Sequence, residues 1–156
     1  MKKIVILLVF LLVLLVFGLI PKLALPQDIP LPPDIEIVAP APDLAKEIAA
    51  FSGKWKGVWD GAGLEAILIV EEIDNNQAKI IYAWGEGLRD RKGYLQVIAK
   101  VIPGSKPKIE FGRKSNDSEV KFTFEMKKDL KSIKGIREIH SRWGNFYYSI
   151  KMKKVD

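Results

Sequence analysis

Residues 119–126 read EVKFTFEM. Val120, Phe122, Phe124 and Met126 fall on one side of a two-residue alternation, and Glu119, Lys121, Thr123 and Glu125 fall on the other. Successive side chains of a strand point to opposite faces, so this pattern predicts a strand with one buried and one wet face. The same reading extends in both directions. Upstream, it predicts strands over 53–59 (GKWKGVW), 64–73, 78–84, 94–102 and 108–112; downstream, over 131–139 and 145–152. The run from Leu64 to Ile73 is β-branched and apolar on both faces. Between the strands lie turn-forming stretches: DNNQ (74–77), GEGLRDRKG (85–93), PGSKP (103–107), RKSNDS (113–118), KKDL (127–130) and HSRWG (140–144). Eight short strands joined mostly by hairpin-length connections imply an antiparallel meander. Closure removes exposed edges, so the expected fold is all-β, an eight-stranded antiparallel up-and-down barrel. A two-sheet sandwich is the alternative.

One short helix is expected before the first strand. Asp43 offers an N-cap to LAKEIAAF, Leu44, Ile48 and Phe51 recur at near-helical spacing, and Gly53 ends the element. Further upstream, residues 21–42 contain seven of the nine prolines. Proline fixes φ and removes a donor, so this tract is neither helix nor central strand. It reads as a semi-rigid spacer, able to hold a domain tens of ångströms from its anchor at about 3.1 Å per residue.

Residues 4–20, IVILLVFLLVLLVFGLI, carry no polar side chain, with Lys2 and Lys3 before them. A span of seventeen lies at the border between a secretory signal and a membrane helix. The small-residue cleavage pattern is poor, because Lys22 stands where a small residue is wanted before a cut after Ala24. An uncleaved N-terminal anchor is therefore favoured over a cleaved signal, and the lysines put the N-terminus in the cytoplasm. The chain divides into an anchor or signal (1–25), a proline-rich linker (26–42) and a barrel domain (43–156). The last would lie outside the cytoplasm, membrane-anchored or, after cleavage, secreted.

There is no cysteine, which excludes disulfides and thiolate metal sites. Residues 43–156 hold 22 basic and 16 acidic side chains. That excess is modest and scattered, as on a solvated surface, and does not form the basic stripe of a nucleic-acid groove. Weak attraction to anionic headgroups or cell-envelope polymers fits it better.

A short helix followed by Gly53-Lys54-Trp55 at the start of an eight-strand meander resembles the lipocalin signature. More broadly, it resembles the calycin-like barrels, which include the fatty-acid-binding proteins and avidins. The pair GKWKGVWDG and IYAWG is similar to small calycin-like domains of bacterial exported proteins. The resemblance implies that Trp55 sits at the closed base of the barrel under the helix. Lipocalins usually place an arginine near the end of the last strand to stack on that ring; here the region reads KMKK, leaving Lys151, Lys153 or Lys154 for the role.

In an up-and-down barrel alternate connections share a rim. One rim then collects Asp60 to Gly63, the 85–93 loop, the 113–118 turn and the 140–144 turn, and with them most residues able to bind something. The candidate ligand-binding residues are Trp59, Trp84, Arg89, Arg137, His140, Arg142 and Trp143. Trp59 shares a face with Trp55 one step nearer this mouth. Trp84 and Trp143 stand where strands meet loops. Arg137 alternates inward with Ile133, Gly135 and Ile139, where a buried guanidinium needs a ligand carboxylate or a protein partner such as an inward Glu72, unless a bulge turns it outward. His140 is the single histidine. Without cysteines it makes no ordinary zinc site, and beside Ser141 it has no third group for nucleophilic catalysis. As a haem ligand it would resemble the small haem-binding barrels only by fold and a lone histidine, and a calcium site from Asp60, Glu86 and Asp90 lacks a recognisable loop spacing. Asn116-Asp117-Ser118 matches a glycosylation sequon.

No cofactor and no catalytic constellation are expected. The leading expectation is a membrane-tethered extracytoplasmic domain binding a small, partly apolar ligand in its mouth. The alternative is a structural or interaction module, filled by its own side chains, that docks a protein or cell-envelope partner. Interior volume separates the two, because small-molecule pockets run to roughly 300–1,000 Å³.

Overall fold

In the computed structural model, which describes residues 28–87 and 91–156, eight antiparallel strands close into a barrel in sequence order. They are β1 (Gly53–Trp59), β2 (Glu65–Ile73), β3 (Gln77–Trp84), β4 (Gly93–Ile102), β5 (Lys108–Lys114), β6 (Ser118–Met126), β7 (Ser132–Ser141) and β8 (Gly144–Val155). Pairing of β1 with β8, from Lys54↔Val155 to Trp59↔Ile150, completes the ring. The expected anchor or signal over 1–25 lies outside the described residues, and no helix of the described residues is long and apolar enough to cross a membrane.

Alternation decides what fills the barrel. Val120, Phe122, Phe124 and Met126 are all buried, as EVKFTFEM implies, and meet Trp55, Trp59, Leu68, Ile80, Tyr82, Ile109, Phe111, Ile133, Ile150 and Met152 in one core. Two glycines permit close approaches inside it. A Cβ on Gly57 would stand 2.6 Å from the Lys151 carbonyl oxygen, and one on Gly135 2.5 Å from both Ile150 and Phe124. Both distances lie inside van der Waals contact, so these positions need the missing side chain.

The strands differ from expectation mainly at their ends. β5 continues to Lys114 rather than stopping at Gly112, and β7 and β8 extend until Ser141 pairs with Gly144. Only Arg142 and Trp143 connect them, where a five-residue turn was expected. Polar residues do not end a strand whose outer face is wet, so the ladder runs on. In β2 the register shifts between Val70 and Glu72. This bulge turns Glu72 out to solvent, so it does not meet Arg137, and leaves Glu71 buried. Pairing is shortest between β4 and β5, where only Lys100–Ile102 meet Lys108–Glu110 among the described residues.

The helix is also shorter than expected. α1 spans Lys46–Ala49, with Ala45 at its N-cap position and no side-chain cap. Asp43 does not cap it, because residues 41–44 form a separate turn closed by Leu44 N–H to Ala41 O at 3.1 Å.

The proline-rich tract shows the largest departure. Its described part does not stand free of the barrel but runs along the outer wall. Near one end, Asp28 pairs with Lys92 at 2.6 Å, just before β4. Further along, Glu36 N–H reaches the Glu71 carboxylate at 3.3 Å, and Val38 N–H donates to the Glu71 carbonyl at 2.8 Å. Ile69 and Ile81 are opposite each other in the β2–β3 register and point outward, yet both are fully buried. Wherever an outward wall is this apolar something must cover it, and the tract lies across it. Extended backbone without internal hydrogen bonds suits a strap laid on a sheet.

Candidate functional site

The two ends of the barrel are built differently. At the base, Trp55 is fully buried, and its indole N–H donates to the Phe51 carbonyl at 2.7 Å. The residues after α1 therefore form a lid over the ring. Lys154 crosses the ring face at 5.4 Å from its centroid, and its ammonium donates to Ala50 O at 3.1 Å. Burial pushes the Lys154 ammonium below its ordinary pKa of 10.5. Of the three lysines in KMKK that could take the stacking place, Lys154 takes it.

At the other end, the described mouth is closed by side chains. Trp59 is 1% exposed, and its indole N–H donates to the Tyr82 hydroxyl at 2.8 Å. Tyr82 stacks on Trp84 at 5.8 Å and meets Phe122 at 4.8 Å, while Phe111 and Phe122 stack at 5.0 Å. Among the described residues, Leu64, Tyr82, Trp84, Leu95, Arg113, Phe122 and Arg137 line a space of about 20 Å³. That is room for about one water molecule.

The candidate residues separate into three groups. Trp59, Trp84 and Arg137 belong to this closure. Trp84 packs on Tyr82 and donates its indole N–H to the Arg91 carbonyl at 2.7 Å, which ties the β3–β4 connection down. Arg137 does point inward, and its guanidinium lies between the rings of Phe122 at 5.9 Å and Tyr148 at 6.0 Å. His140 belongs to the outer wall: its Nδ1 is 3.0 Å from Asn145 Oδ1, its Nε2 3.7 Å from Glu138, and its ring is edge-on to Tyr147 at 6.3 Å. Arg142 and Trp143 form the tip of the β7–β8 hairpin, with the guanidinium 4.7 Å above the indole and Asp117 at 3.7 Å. Arg89 lies outside the described residues.

Arg113 is not among the candidates, because the sequence pattern assigns it to the 113–118 turn. With β5 running to Lys114 it follows Ile109 and Phe111 on the inward parity, and that parity was the signal that would have found it. The Tyr82 hydroxyl is the second residue missed; its partner could not be seen before β1 and β3 were placed on either side of β2. Among the described residues, no group of histidine and carboxylate side chains converges in a way that would hold a metal ion.

The site therefore defines a class by geometry alone: a closed barrel with a sealed base and a mouth occupied by aromatic rings and arginines. No known family model matches the chain, and no characterised protein matches it in sequence.

Proposed function

We propose that the protein is a membrane-tethered, extracytoplasmic interaction module with a self-filled, lipocalin-like barrel. The observation that carries this reading is the closed mouth. About 20 Å³ is more than tenfold below the space a small-molecule pocket needs. The hydrogen bond from Trp59 to Tyr82 occupies the ring that a ligand would have to reach. Placement of Trp55 under the residues following α1, with Lys154 on its face, supports the lipocalin-like assignment. The tether rests on Lys2, Lys3 and the apolar run over 4–20. The partner surface is the base, where the β4–β5 and β6–β7 turns carry Lys106, Lys127, Lys128 and Lys131 and the end of β8 carries Lys153, and this charge suits an anionic cell-envelope polymer.

Two measurements on the full chain in lipid nanodiscs test this. Denaturing extraction should yield only the lipids of empty discs, and a stoichiometric additional small molecule would restore the ligand-carrier reading. Co-sedimentation with an anionic polysaccharide should fall with added salt and drop several-fold in Lys127→Gln/Lys128→Gln/Lys131→Gln. Unchanged sedimentation in that variant would remove the base as the docking surface.

A further inference from the structure

The strap determines which end of the barrel meets the bilayer. The first described residue, Asp28, is held at the mouth by Lys92. From there the chain descends the outer wall to Glu71, near the base end of β2, before turning into α1. Residues 21–27 are therefore all that separates the apolar run from the mouth rim. Fully extended, seven residues reach roughly 25 Å at most, and Leu23 and Leu25 make part of that stretch apolar. A spacer laid along the barrel cannot also hold it away from its anchor.

That same rim carries the most exposed aromatic residues of the described chain. Trp143 is 78% exposed, Tyr147 63%, Tyr94 45% and Phe146 44%. All but Tyr94, which lies at the start of β4, belong to the β7–β8 hairpin. Such rings are costly to leave in water, and Trp and Tyr favour the headgroup level of a bilayer, where an apolar body and a polar edge are both satisfied. Arg142, stacked on Trp143, supplies a guanidinium for lipid phosphate. Asp60, Glu86, Asp117 and Glu119 offset the cations of this rim, so burial of the rings, rather than charge, is the driving term.

We propose that the mouth rim is a membrane-docking surface: the Arg142–Tyr147 hairpin tip inserts into the headgroup region of the bilayer that anchors residues 4–20, leaving the lysine-rich base facing away. This rests on the tether described under the proposed function. It gives the closed mouth a role that needs no ligand.

The full chain in vesicles of zwitterionic lipid, with and without brominated acyl chains, tests the docking. Trp143 should be quenched by shallow bromines, and the quenched component should disappear in Trp143→Phe. Quenching should persist at high salt, since charge does not drive it. In the Trp143→Phe background, Ser105→Trp places a reporter in the β4–β5 turn at the opposite end. That reporter should be quenched by aqueous acrylamide and not by brominated lipid. Alkaline extraction followed by flotation reads the tether separately. A chain that floats with Trp143 open to acrylamide and unaffected by bromine overturns the docking while the tether stands. Equal lipid quenching at both reporters also overturns it, since the barrel would then have no fixed orientation. A chain that stays behind when the vesicles float overturns the tether and the docking with it.

Discussion

The base and the mouth of this barrel each centre on a tryptophan from β1, four residues apart, and the two rings are held in different ways. Trp55 bonds to a backbone carbonyl of its own neighbourhood, Phe51 O, and is covered by the short helix and a lysine. Trp59 bonds to a side chain from another strand, the Tyr82 hydroxyl, and is covered by rings from β3 and β6. A local lid can be written into consecutive residues. A lid of converging side chains depends on how strands far apart in sequence come together. The outer surfaces follow the same division, with lysines around the base and exposed rings beside arginine at the mouth.

Truncation of the two end rings should give the largest contrast. Trp55→Ala removes a fully buried ring and is expected to cost about 3–5 kcal/mol of unfolding free energy. Trp84→Ala, at the half-buried mouth, should cost less than half as much in the same urea titrations. Equal losses would mean that the mouth is as well packed as the base. Next comes Gly135→Ala, expected to cost about 1–3 kcal/mol because its Cβ meets Phe124 and Ile150 at 2.5 Å. A neutral result would show that the centre between the two ends can relax.

Tyr82→Phe probes the mouth alone. It leaves the Trp59 N–H buried without its partner, at a cost of about 1–3 kcal/mol, and should alter the near-ultraviolet tryptophan dichroism. If stability is unchanged, water has reached Trp59 and the mouth is more open than its geometry indicates. The smallest effect concerns Lys154. Its folded-state pKa is lowered by burial, so the unfolded chain binds the proton more tightly. The resulting penalty is fully present below the folded pKa and is relieved as pH rises from there toward 10.5. Relative to Lys154→Met, the natural chain should therefore gain stability across that alkaline window, read as a narrowing difference in Tm. A difference that stays flat or widens would mean that the Lys154 ammonium is not desolvated over Trp55.

Much of the barrel was legible because one wall of each strand is wet. EVKFTFEM and GKWKGVW carry their alternation openly, and the structure places those strands at 118–126 and 53–59. Ends were harder to read, since a ladder stops where its partner stops: Arg113 was taken for a turn residue because nothing local shows how far β6 runs beside it. Glu71 and Glu72 are adjacent carboxylates, and only the bulge decides which of them is buried. Counting connections gathers the candidate residues toward one rim, but His140 lies on the outer wall and Trp59 in the core, because parity and ring packing are settled strand by strand.

The strap was illegible for a further reason. Proline density rules out helix and central strand, but it leaves a free spacer and a docked segment equally open. The outward residues Ile67 and Ile69 on β2, with Ile81 and Ala83 opposite them on β3, were a trace of a covered wall, and they read equally well as strands buried on both faces.

By itself, the sequence determined the number of strands, their order and the apolar face of most of them, because period-two burial is a local property of the backbone. Only the tertiary structure decided that Trp59 and Tyr82 bond to each other inside the barrel and that the described proline tract runs down the outer wall from Lys92 to Glu71. Both depend on volumes and distances between residues far apart in the chain, which no local pattern encodes.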